Sequence, residues 1–219
     1  DELRQAAPKA VSDIVYMLTG GQGKARSTKA GKNRDTKQFS LMYTSTGEVT
    51  LEEHLRRGSI ELDAGLLLRF AHIPSDAGKG YGVFDCINYG TAPQDIGNRI
   101  NELASQHYGH AGIKWLEYLT QDKDAVMQQA QVLLDSFIEQ HSHIRNSQAS
   151  RVLRRFALVA TAGELATEAG ITGWIKGRAF EAIAHCFNTW LGNLGHGENM
   201  EETKSLEHIK AFFEANGTS

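Results

Sequence analysis

From Thr91 onward the apolar residues of this chain recur every three or four positions, a spacing that dictates helix rather than strand. Ile96, Ile100, Leu103 and Ala104 share one stripe; Val126, Ala130, Leu133, Leu134 and Phe137 share a second. A long helix is expected from around Ser150 to Ala169. Phe180, Ile183, Phe187 and Trp190 mark another, and Leu206, Ile209 and Phe213 the last, with Asn216-Gly217 as its C-terminal cap. Thr91 itself, in a T-x-x-Q pattern, reads as a capped start. Stripes of this kind must cover one another, so this part of the chain is predicted to be all-helical.

The residues before Thr91 follow another pattern. Pro8 suits the first turn of a helix, Val11, Ile14, Val15 and Leu18 give it an apolar face, and Gly20-Gly21 ends it. In QFSLMYTST, Phe39, Leu41 and Tyr43 alternate with Ser40, Met42 and Thr44, which predicts a strand. Met42 makes its second face partly apolar, as in the middle of a sheet. Thr50 and Glu53 form a capping box that opens a short helix, LEEHLRR, closed by Gly58. AGLLLRFAHIP reads as a second strand stopped by Pro74, and the glycine-rich DAGKGYG follows as a connector or a second polynucleotide contact. The expected fold is therefore α/β followed by all-α, with domains 1–88 and 89–219.

Between these elements lies TGGQGKARSTKAGKNRDTK. It is not a phosphate-binding P-loop. No glycine stands five before Gly23, Ala25 replaces the required Ser or Thr, and the segment follows a helix instead of a strand. Its charge is more informative. Lys24, Arg26, Lys29, Lys32, Arg34 and Lys37 face a single acid, Asp35, within fourteen residues. Such a run is either a solvated surface loop or a hairpin that tracks a nucleic-acid backbone by releasing counterions from its phosphates. The 219 residues carry a formal net charge of -3, so any polynucleotide binding must come from this local patch. The sequence has no apolar run near the length of a membrane span and no secretory leader. Cys86 and Cys186 match no zinc or redox spacing, which predicts reduced thiols in a cytoplasmic protein.

Four segments carry a resemblance: DELRQAAPKAVSDIVYMLTGGQGKAR, LMYTSTGEVTLEEHL, LLLRFAHIPSDAGKGYGVFD and FALVATAGELATEAGITGW. They resemble the domain of unknown function 927 family (DUF927), found in plasmid and phage primase–helicase-like proteins, and they spread over almost the whole chain. The order of acidic pair, helix, basic insertion and strand is also similar to superfamily 3 helicases. The resemblance implies the second half of a P-loop ATPase (RecA/AAA+-like) parallel sheet, joined to a helical C-terminal domain. Asp1 would help hold magnesium and Glu2 would polarise the attacking water. Thr46, or else Ser45, would sense the γ-phosphate, and Arg69 would act as an arginine finger on a neighbouring subunit's ATP. Lys24 and Arg26 would contact DNA or reach nucleotide across the interface. Lys29, Lys32, Arg34 and Lys37 would contact DNA.

The implied function is a fragment of an ATP-dependent DNA helicase or translocase from a mobile-element replication protein. ATP and magnesium would serve the intact protein, a homo-oligomeric ring of six moving along single-stranded DNA. Two other readings stand beside it: a catalytically decayed DNA-binding or scaffolding module, and an ATP-driven switch that remodels proteins. The 219 residues contain no Walker A motif, so the P-loop is expected upstream of Asp1 and this chain alone is expected to lack ATPase activity. Arg151, Arg154 and Arg155 read as a solvated helix face.

Overall fold

The fixed backbone angle of Pro8 and the left-handed conformation of Gly21 bracket the first helix, α1 (Pro8–Gly20). The computed structural model describes residues 5–23, 36–60, 64–144, 146–194 and 209–210. The described residues of Asp1–His72 and Asn199–Ser219 form one compact unit and those of Ile73–Glu198 a second.

In the first unit α1 turns Val11 and Val15, one helical turn apart, into the interior. Helix α2 (Leu51–Arg57) is nucleated as its sequence predicts: the Thr50 hydroxyl accepts a hydrogen bond from the Glu53 amide at 3.0 Å. Its outer face carries the exposed i,i+4 ion pairs Glu52–Arg56 and Glu53–Arg57, each adding a few tenths of a kcal/mol. Its inner face sends Leu51 and Leu55 against Val11, Val15 and Leu66 of α3 (Ala64–Arg69), with Ala6, Ile60 and Phe70 closing the edges. His54 is buried, and its Nε2–H donates to the carbonyl of Ala6 at 2.9 Å, which ties α2 to the entry of α1.

This arrangement corrects the expected α/β layer. The described residues contain eight helices and no strand or sheet, so the parallel sheet of a P-loop ATPase core is absent from them. Residues 64–69 of the second predicted strand are helical. Ala64–Phe70 contains no β-branched residue and is rich in Leu, Ala and Arg, which favour helix, and one turn suffices to bury Leu66. Of the first predicted strand, Gln38 alone pairs among the described residues, antiparallel with Gln22, and the rest has no regular secondary structure. Its alternation lacks a second apolar surface to lie on: Leu41 and Met42, on opposite faces, are 49% and 50% exposed. Tyr43 is half-buried and meets the ring of Phe70, with centroids 6.2 Å apart.

In the second unit the helical expectation is met, with five helices among its described residues: α4 (Pro93–Gln106), α5 (His110–Gln121), α6 (Lys123–Gln140), α7 (Ser147–Glu168) and α8 (Arg178–Asn193). Helix α4 starts one residue later than the T-x-x-Q pattern predicts: Ala92 is its N-cap, and Asp95 rather than Gln94 bonds back to the chain before it. The Asp95 carboxylate accepts from the amides of Thr91 at 2.8 Å and Ala92 at 3.0 Å, and these bonds hold its pKa below the ordinary carboxylate value. Helix α7 is the spine, packed against both α6 and α8. Its Phe156 meets Phe187 of α8 edge-on at 5.3 Å, and Phe137 of α6 meets Phe180 likewise at 5.2 Å. His141 fits between Phe137 and Phe187, its Nδ1–H donating to the Phe137 carbonyl at 2.8 Å. Of the last predicted helix only Ile209 and Lys210 are described; both are helical and belong to the first unit.

The α7–α8 contact depends on two residues. At Gly163 the helices approach so closely that a Cβ would stand 2.6 Å from that of Ala179. One residue on, the Glu164 carboxylate is buried and caps α8 from outside that helix. Its Oε2 accepts from the Gly177 amide at 2.8 Å, and its Oε1 from the amides of Ala179 at 2.9 Å and Phe180 at 3.3 Å. The positive end of the α8 dipole faces the same carboxylate.

Two outcomes follow from these contacts. Glu164→Ala leaves three amides without their acceptor and is expected to lower unfolding free energy by about 2–3 kcal/mol, with Glu164→Gln losing less. A urea midpoint for Glu164→Ala equal to that of the parent, read by circular dichroism, would refute the cap. At Gly21 the φ of +65° is compounded by the Phe39 carbonyl oxygen, 2.8 Å from where a Cβ would lie. Gly21→Ala is expected to cost about 1–2 kcal/mol locally, so the amides of Gly23 and Phe39 should exchange with solvent roughly five- to thirtyfold faster.

Candidate nucleic-acid interface

Lysine and arginine bind phosphate wherever they are presented, but a run of them on a loose chain must first be ordered. The structure meets part of that requirement at the exit of α1. Where Gln22 and Gln38 pair antiparallel, the Gly23 amide donates to the Lys37 carbonyl at 2.9 Å and the Phe39 amide donates to the Gly21 carbonyl at 2.9 Å. The two ends of the basic stretch are thereby held side by side, with the loop-closure entropy already met in the free protein. Gly21 permits this because it both ends the helix in the left-handed region and lets the Phe39 carbonyl come close. An open depression of about 460 Å³ lies at this base, lined by Gly20, Gly21, Gln22, Gln38, Phe39 and Ser40.

Among the residues predicted to contact DNA, Lys37 stands exposed at the base. Lys24, Arg26, Lys29, Lys32 and Arg34 lie outside the described residues, as do Asp1 and Glu2, the expected magnesium-holding and water-polarising pair. Ser45 is half-buried and its hydroxyl donates to the Thr46 carbonyl at 3.4 Å, while Thr46 is exposed. Both lie on the irregular segment before α2, with no sheet among the described residues to make them a strand end.

Arg69 is the last residue of α3 and not part of a strand. Its Nη1 donates to the Gly65 carbonyl at 3.0 Å, and its guanidinium lies over the ring of Tyr16 on α1, 5.1 Å from the centroid. Sequence reasoning passed over Tyr16. The signal was present: position 16 falls outside the Val11–Val15 stripe, so an aromatic residue there is not demanded by the core.

A second basic–aromatic pair occurs in the other unit, where Arg99 lies over Tyr89 at 5.9 Å. There Arg99 also donates to the Glu102 carboxylate at 2.7 Å, and that bond raises the arginine's pKa. None of the described helices is long and apolar enough to cross a membrane.

Comparison with known proteins places one similarity on this same region. The model of a family described as domain of unknown function (DUF927) matches residues 1–38, from the start of the chain through α1 and the basic stretch to Gln38. The three other segments that carry the resemblance lie beyond the matched residues, and the match extends to neither a helicase nor a P-loop relationship. No curated protein and no solved structure matches the chain.

Proposed function

We propose that this chain binds single-stranded nucleic acid through the basic stretch 24–37, presented as a loop from the end of α1. The observation that carries this reading is the antiparallel closure at Gly21–Gly23 and Lys37–Phe39, which holds the two ends of a six-cation run together. A solvated loop needs no such closure. A loop that meets a phosphate backbone gains from it, since less order has to be created on binding. The similarity to DUF927 supports the same region, because it spans α1 and the stretch as one piece. The ATP-driven translocase expected from the resemblance drew its nucleotide site from a parallel sheet. With that sheet missing from the described residues, polynucleotide contact is the part of the reading that the geometry supports. A DNA-binding module is therefore favoured over a motor.

Fluorescence anisotropy with a labelled oligo(dT) across 50–200 mM salt tests the proposal. Each phosphate contact to a single strand contributes about -0.7 to the salt slope, so six contacts give at most about -4. Replacing Lys24, Arg26, Lys29 and Lys32 by Ala is expected to flatten the slope by up to about 3 and to weaken binding at low salt on the order of tenfold or more. Unchanged affinity and slope would overturn the reading.

A further inference from the structure

Helix α5 is fastened to the second unit in a way its neighbours are not. It buries no residue completely, whereas α7 buries nine. Trp115, Tyr118 and Leu119 turn half inward, but Ile113 and Leu116 are each 61% exposed. Two side-chain hydrogen bonds reach from α5 to other elements. Lys114 Nζ donates to the Gly170 carbonyl, just past the end of α7, at 3.1 Å, and the Tyr118 hydroxyl donates to Gln129 Oε1 on α6 at 3.5 Å. Gln129 in turn donates to the Glu168 carboxylate of α7. Burial, and then the Glu168 charge, raise the Tyr118 pKa, so the phenol keeps its donor proton. The closest helix contact of α5 is with α6, and α4 upstream is in close contact with none of the described helices. Both ends of α5 are built to turn. Gly109 before it is left-handed, with open space where a Cβ would lie. Asp122 after it ends the helix and caps α6 independently, accepting from the Ala125 amide at 3.0 Å. A helix of 12 residues that contains Gly112 is marginal by itself.

We infer that α5 is a strap: it leaves the α6–α7 face in one step, pivoting at Gly109 and Asp122, while α6, α7 and α8 stay packed. The ease of a local opening is set by how much apolar surface returns to water, and α5 has little of it buried. Because Asp122 caps α6 by itself, α6 keeps its first turn when α5 departs. Opening frees Gln129, Glu168 and the Gly170 carbonyl from α5. A partner that engages them draws on an open form already present at equilibrium. This device is independent of the nucleic-acid reading.

Native-state hydrogen exchange on the full chain tests the strap. The amides of residues 114–121 are expected to share one opening constant and to exchange about a hundredfold or more faster than those of residues 152–165 in α7. Gln129→Ala and Lys114→Met each remove one fastening. Each is expected to speed α5 exchange about two- to tenfold while α7 exchange stays unchanged. Should a variant fold poorly, which faster α7 exchange would reveal, the rates of the parent chain decide alone. Exchange in α5 as slow as in α7, or protection that falls away residue by residue from one end, overturns the strap. So does a variant that folds like the parent and leaves the α5 rates where they were.

Discussion

Two backbone hydrogen bonds at the exit of α1 organise the first unit. They join Gly23 to Lys37 and Phe39 to Gly21, and they form where a helix has just ended in the left-handed conformation. Any side chain at position 21 would collide with the Phe39 carbonyl, so helix termination and loop closure draw on one glycine. The closure also decides what the segment after it becomes. Held at Gln38, residues 39–49 take no regular secondary structure and join no sheet among the described residues until Thr50 caps α2. The apolar contacts of Val11, Val15, Leu51, Leu55 and Leu66 then fix α1 against α2 and α3 and so fix the base of the loop. Burying these five side chains supplies of order 10 kcal/mol before entropy is counted, a modest core for three short helices.

The second unit is governed by its aromatic contacts. Helix α7 carries small residues, Ala149, Ala157 and Ala160, between larger ones, Val152, Leu153 and Phe156, and both kinds are buried. Alternation of that sort lets α6 and α8 approach on either side without voids. His141 is a core histidine; both its hydrogen bond and its ring neighbours are internal. Cys186, half-buried on α8, has its thiol pKa raised by desolvation, and both cysteines are free.

Much of this was legible in the residues and some was not. Helical periodicity gave α4, α6, α7 and α8, and the Pro8, Gly21 and Thr50 signals gave the ends of α1 and α2, because these depend on local chemistry. The strand at residues 64–74 failed because a short apolar run such as LLLRF fits helix and strand equally by pattern, and only a partner sheet could have decided for strand. The sheet was read from two apolar runs as well as from the resemblance, and neither run finds a partner strand among the described residues. Nothing in the spacing of Tyr16 and Arg69 announces that they meet. Their approach spans fifty-three positions of sequence, 69 minus 16, and is set by the packing of α1 on α3. Glu164 was hidden for the same reason: a carboxylate midway along a helix reads as solvent-facing until its neighbour's amides are seen.

That carboxylate has a mechanical corollary. Because one side chain of α7 grips three amides of α8 beside a crossing that Gly163 keeps tight, the two helices cannot slide past each other without breaking all three bonds together. Helix α7, at 22 residues about 33 Å long, thus holds the start of α8 at a fixed level along its axis.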